Sequence, residues 1–184
     1  ITPQLTSMKC YSNSARTVCQ LPYITAMTNY QLCGQTDQYG ITDAEAIALM
    51  MSRHANSIKM YIGSYDWLPV SLKGEEGTFD FVLMSTGDRR FYDTQTVSRA
   101  VGSGNESLIS WWPEEPGCRE WIYVRNMISL LSWRGIGYII LPLSSLAKIG
   151  VHSEMRRRIL DEKLLKAVIE LPAGTMPQTG TKYA

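Results

Sequence analysis

Short runs of β-branched, aromatic and alternating apolar residues take turns along this chain with longer stretches whose apolar residues recur every three or four positions. That alternation restricts the fold more than any other feature, because strand, helix and strand in succession close most simply as a parallel unit. Tyr30 to Thr36 (YQLCGQT) reads as a strand. Thr42 and Glu45 stand three apart, as a capping box requires, and predict a helix from about Asp43 to His54. Ile47, Met50 and Met51 fall on one stripe of it, facing the sheet. Ile58 to Ile62 alternates as a strand, and Phe79 to Met84 is a strand-like run suited to a sheet covered on both sides. These two are expected to be adjacent and parallel.

Gly87 to Pro116 is rich in charge, glycine, serine and proline, and reads as a long loop of the kind that carries binding. Helical spacing returns with Trp121, Val124, Ile128 and Leu131, so a helix is predicted over Arg119 to Trp133, ended by Gly135 and Gly137. Tyr138 to Leu143 is the next expected strand, with Pro142 at its end, where a missing amide proton is tolerated. His152 to Asp161 reads as a short helix with a solvated basic face, and Leu164 to Leu171 as a final strand. The fold class is therefore α/β, a doubly wound and mostly parallel sheet. Such sheets bind ligands beyond the carboxyl ends of their strands, here near residues 10 to 15, 34 to 38, 63 to 66 and 85 to 90.

Composition sets the remaining bounds. With 184 residues and 45% apolar side chains, residues 1 to 184 suffice for one core, so a single domain is expected. A formal charge of +1, from 18 basic and 17 acidic residues, creates no long-range field toward nucleic acid or an anionic membrane. The four cysteines and two histidines lack metal-ligand spacing, so no metal is expected, and scattered thiols fit a reduced, cytoplasmic setting. The most apolar stretch, Gly135 to Val151, is interrupted by Pro142, two serines and Lys148, and no membrane segment is expected.

From Trp121 onward the residues become specific. Leu131-Ser132-Trp133-Arg134-Gly135 leads into Ile140-Leu141-Pro142; a short helix carries Met155-Arg156-Arg157-Arg158-Ile159-Leu160; then comes Leu171-Pro172-Ala173-Gly174-Thr175-Met176-Pro177-Gln178-Thr179-Gly180. This half resembles the N6-adenine DNA methyltransferases, in particular the modification subunit of type I restriction-modification systems, with Met176 in place of an aromatic. Gly34-Gln35, Gly63 and the Phe79 to Met84 strand follow the same order more loosely. The resemblance implies a Rossmann-like fold, S-adenosylmethionine as cofactor, and DNA and restriction-modification subunits as partners. In that family a further strand follows the segment near Gly180, and the sequence opens on Ile1, so a fragment cut before the last strand is expected.

The chemical motifs depart from the resemblance. Where the family carries Asn/Asp-Pro-Pro-aromatic to hold a flipped adenine, this chain reads Ser85-Thr86-Gly87-Asp88, without amide, prolines or ring. The glycine-rich turn that lets the backbone approach the donor corresponds to Cys10-Tyr11-Ser12-Asn13-Ser14, with Tyr11, Asn13 and Ser14 at glycine positions. The ribose-binding glutamate corresponds to Thr36, with Asp37 one residue on; the adenine-contacting Gly-Asp corresponds to Gly63-Ser64, with Asp66 two further. The degenerate cofactor positions are thus Cys10, Ser12, Ser14, Thr36, Asp37, Ser64 and Asp66. Four losses among intact packing elements lead to the expectation of a methyltransferase-like domain that binds no methyl donor and acts as a scaffold or subunit in DNA modification. An active enzyme with divergent motifs, and an interaction module of the same fold, remain open at this point. Trp111, Trp112, Trp121 and Arg119 read as a helix-packing cluster or a base-stacking platform, the first being preferred. Arg89-Arg90 and Arg156-Arg157-Arg158 read as solvated faces or phosphate contacts.

Overall fold

The computed structural model describes residues 8–13, 30–36, 58–62, 74–86, 119–175 and 182–184. Five strands, β1 (Met8–Ser12), β2 (Tyr30–Thr36), β3 (Ile58–Ile62), β4 (Phe79–Ser85) and β5 (Leu131–Ile140), form one sheet in the order β3-β2-β1-β4-β5. Every neighbouring pair is parallel. The doubly wound α/β expectation is met: the chain winds outward from β1 in one direction to β3 and in the other to β5, which makes the β1/β4 junction the switch point.

Three helices are described: α1 (Arg119–Leu130), α2 (Leu143–Ala147) and α3 (Val151–Asp161). Helix α1 is sandwiched between sheet and α3, which explains why Glu120 to Met127 are all buried. Tyr123, Met127 and Leu130 pack on Tyr11, Cys33, Phe79, Val82 and Met84 from β1, β2 and β4. Around the helix, Trp121, Ile122 and Val124 join Leu141 and Met155 of α3. The opposite sheet face holds Cys10 and Leu32, with Met8, Ile58, Phe81 and Leu83 around them.

Several expectations change. Strand β1 precedes the first strand read from the sequence; at five residues, with Lys9 and Ser12 among them, it carries too little apolar pattern to stand out. The runs read as adjacent, β3 and β4, are separated by β2 and β1, since β1 takes the centre. Helix α1 stops at Leu130 rather than Trp133, and β5 begins at once with Leu131 opposite Phe79. The register then shifts between Phe79 and Phe81, so that residues after Leu131 bulge before Ile136 pairs with Phe81. The bulge has two anchors: Ser132 Oγ donates to Asp80 (3.2 Å), and a β-carbon on Gly135 would lie 2.7 Å from the Phe79 carbonyl oxygen. Asp80 also accepts from the Lys9 amide at 3.0 Å, tying β1 to β4 at the amino end of their pairing.

Leu164 to Leu171 is not a paired strand; these residues are mostly exposed, and the Leu171 amide donates to the Tyr183 carbonyl at 2.9 Å. After it, Pro172 to Thr175 form a turn closed by the Thr175 amide on Pro172 O, with Gly174 at φ 82, a backbone angle that glycine reaches without strain. The helix expected over Asp43 to His54 and the loop from Gly87 to Pro116 lie outside the described residues.

Candidate functional site at the carboxyl edge of the sheet

Because all pairings are parallel, the carboxyl ends of the five strands share one edge. The register sets Ser12 beside Gly34 and beside Leu83, Thr36 beside Ile62, and Ser85 beside Ile140. The four places expected to carry chemistry therefore begin along a single edge, although Ser14, Asp37, Ser64, Asp66, Gly87 and Asp88 lie outside the described residues.

At the switch point the side chain of Asn13, the first residue after β1, bridges the two central strands. Its Nδ2 donates to the Ser85 carbonyl oxygen at 2.7 Å, and its Oδ1 accepts from the Ser85 amide at 3.0 Å. An amide side chain suits this place because it carries one donor and one acceptor side by side, and so mimics a neighbouring strand's peptide group. The pairing with β4 by backbone alone ends at Ser12 opposite Leu83; Asn13 extends it by another step. The sequence set Asn13 at a glycine position of the resemblance without giving it a role, and the signal for its hydrogen bonds was its type: asparagine after a short strand favours side-chain hydrogen bonds to backbone.

The sequence-predicted residues that are described sit as follows. Cys10 and Ser12 lie inside β1 rather than in a turn, both buried. Burial, with help from the charge of Asp80 and from neighbouring Cys33, pushes the Cys10 thiol up to about 11, which leaves it protonated and unreactive at neutral pH. Tyr11, at a glycine position of the resemblance, is fully buried and tilted against Phe79 with ring centroids 5.5 Å apart. Ser85 is half-buried in the Asn13 bridge. Thr86 is buried, and both its amide and its hydroxyl reach the Ile140 carbonyl oxygen at 3.3 Å, carrying the β4/β5 contact past the end of β4. Thr36 closes β2 opposite Ile62.

Other polar groups serve packing. The Trp121 indole donates to His152 Nδ1 at 2.9 Å, edge-on, inside the α1/α3 interface. Burial holds the His152 imidazole below its usual range, an effect that outweighs the pull of Glu120 and is reinforced by Lys148 and Arg156. Trp121 is thus a helix-packing residue, the preferred reading; Trp111 and Trp112 lie outside the described residues. Arg156 donates to the carbonyl oxygens of Ser145 and Lys148 and so ties α3 to α2, while Arg158 and Arg157 pair within α3, with Glu154 at 2.8 Å and Asp161 at 3.8 Å. Among the described residues no group of three or more His, Cys, Asp or Glu could hold a metal ion, and no helix is long and apolar enough to cross a membrane.

Comparison with known proteins places this edge in context. Residues 96–183 match the family N-6 DNA Methylase. The structure superposes on the methyltransferase subunit of a type I restriction-modification system from Streptococcus thermophilus with a TM-score of 0.68 at 16% identity, covering 96% of this chain and 38% of that one. The chain therefore spans well under half of that subunit. The human methyltransferase 10 domain containing protein gives a TM-score of 0.47 at 11% identity (99% and 71% of the two chains). A 30S ribosomal A1408 methyltransferase from an uncultured bacterium (UncKam) gives 0.43 at 14% (97% and 85%). No curated protein matches the sequence.

Proposed function

We propose that this chain, which is N6-methyltransferase-like in the sequence of its carboxy-terminal half and in the winding of its sheet, keeps the framework of a type I modification subunit without its methyl transfer. It would act as a scaffold or subunit in a restriction-modification or related DNA-processing assembly, with DNA and partner subunits as its contacts.

The observation that carries this reading is the Asn13 bridge to Ser85. The resemblance read from the sequence sets Asn13 at a glycine position of the donor-binding turn and Ser85 at the residue whose side-chain amide holds the target base. Here the amide has changed sides. It stands on β1, and both of its hydrogen-bonding groups are committed to the Ser85 backbone at 2.7 and 3.0 Å. Thr86 supports the same reading, because its amide reaches Ile140 O where the family has a proline, a residue with no amide proton to give. S-adenosylmethionine fits these residues poorly: Ser12 and Cys10 are buried within the strand, and the Asn13 side-chain amide is committed to the Ser85 backbone.

Methyl transfer tests the proposal. With labelled S-adenosylmethionine and adenine-containing duplex or single-stranded DNA, the chain is expected to leave the DNA unlabelled after prolonged incubation at micromolar protein. Label on adenine N6 that disappears in a Ser85→Ala, Thr86→Ala double variant would refute it.

A further inference from the structure

Most of α3 is fastened by more than one means. Arg156 donates to the carbonyl oxygens of Ser145 and Lys148 at 2.9 and 2.7 Å, and Met155 is fully buried in the cluster with Trp121, Ile122 and Val124 of α1, with Ile159 packed against it. The first turn is held more lightly. Its N-cap, Gly150, has no side chain to bond the open amides. The turn reaches α1 through Val151, packed on the same cluster, and through His152, whose Nδ1 accepts from the Trp121 indole at 2.9 Å with the rings edge-on.

That hydrogen bond belongs to one protonation state. An indole nitrogen is a donor and nothing else, so Nδ1 must present its lone pair and the neutral imidazole carries its proton on Nε2. A second proton, on Nδ1, would set two N–H groups against each other. It would also put a cation in the first turn of α3, at the positive end of the helix dipole. The groups around the ring decide how that conflict resolves. Burial opposes the charge, Glu120 from α1 favours it, and Lys148, between α2 and α3, and Arg156, four residues along α3, oppose it. Glu120 directly precedes Trp121 on α1, is itself buried, and its Oε2 finds no hydrogen-bond partner among the described residues. An unpaired buried carboxylate oxygen is costly, and a charged N–H is the donor that best relieves it.

We propose that His152 is a two-position, pH-operated latch on the first turn of α3: the neutral imidazole accepts from Trp121, and the imidazolium formed as pH falls leaves the indole and donates to Glu120. The step takes up one proton from solvent and exchanges one hydrogen bond for another. The first turn shifts on α1, while Arg156 and Met155 keep the rest of the helix docked. The two positions differ in partner as well as in charge, so the interface has two arrangements and not a gradual softening. The latch works whether or not the crevice at β1 and β4 takes a methyl donor.

Nuclear magnetic resonance of the full chain tests it, following the His152 ring nitrogens and the Trp121 indole proton from about pH 8 to about pH 4.5, a range that spans the ordinary imidazole value. At neutral pH Nδ1 is expected to be the unprotonated nitrogen and the indole proton to exchange slowly. As His152 titrates, the indole proton should exchange at least tenfold faster while the backbone amides of β1 and β4 stay protected. Trp121→Phe removes a bond made only to the neutral ring, so the His152 midpoint should rise by roughly 0.4 to 1 pH unit. Glu120→Gln removes the charged acceptor and should lower the midpoint, with the indole proton still protected at neutral pH; it decides the matter alone should the larger substitution fail to fold. An indole proton that stays protected below the His152 midpoint, or a midpoint unmoved in Glu120→Gln, would overturn the proposal. Loss of β1 and β4 protection in step with the indole would do the same, because that is ordinary acid unfolding.

Discussion

Replacing Asn13 by alanine removes two hydrogen bonds that span β1 and β4, at 2.7 and 3.0 Å, both partly buried. With roughly 0.5–1.5 kcal/mol net for each, the loss is about 1–3 kcal/mol, the upper end applying if water cannot replace the partner of the Ser85 amide. For a urea dependence of about 2 kcal/mol per molar, the unfolding midpoint should fall by about 0.5–1.5 M. Asn13→Asp separates the two bonds. A carboxylate can still accept from the Ser85 amide, but it has no proton for the Ser85 carbonyl oxygen and meets it with like charge. Binding a proton restores the donor, so the acid form is favoured in the folded state and the folded pKa rises above the unfolded value of about 3.9. By linkage, the variant should approach wild-type stability below that unfolded value and fall behind as pH rises through the folded one. Urea titrations of both proteins between pH 3.5 and 7 read this as a difference. If Asn13→Ala unfolds at the wild-type midpoint, or Asn13→Asp trails wild type equally at all pH values, the bridge does not hold the strands together.

Two further expectations follow from the packing. Because burial lowers the His152 pKa, the folded protein favours neutral imidazole; its contribution is full above the unfolded value of about 6.5 and is lost as pH falls from there through the folded pKa. A His152→Gln variant should therefore show a shallower loss of thermal stability than wild type between pH 7 and 5, and equal slopes would contradict the assignment. Gly135→Ala places a β-carbon 2.7 Å from the Phe79 carbonyl oxygen, which is backbone and cannot yield cheaply, whereas Gly137→Ala meets the Met127 sulfur at 2.6 Å, near the end of a side chain that can turn aside. Thermal melts should rank Gly135→Ala as the more destabilised, on the order of 1–3 kcal/mol as for other overpacked sites; the reverse order would show that the bulge is more pliant than its contacts indicate.

What the sequence disclosed follows from how local each signal is. The apolar run of β4 and the stripe on α1 are set by neighbours in sequence, and both were readable. The Leu-Ser-x-x-Gly motif was readable as a pattern, but its cause was not: Ser132 and Gly135 answer to Asp80 and Phe79, more than fifty residues earlier, through a bulge that no local period announces. Strand order was lost for the same reason. β1 is short and carries Lys9, whose amide is satisfied by Asp80, so nothing in Met8 to Ser12 alone declares it the centre of the sheet. At the site, the absence of the family's side chains at Ser85 and Thr86 was visible, while the role of Asn13 was not, since its value lies in a partner 72 positions away.

The central proposal is that this chain binds no methyl donor, the Asn13 side chain being committed to Ser85 between β1 and β4. Titration calorimetry of S-adenosylmethionine into the wild-type chain tests it most directly. The account predicts no binding heat up to millimolar ligand. A saturable isotherm in the micromolar range, weakened when Ser12 and Asn13 are changed, would contradict it.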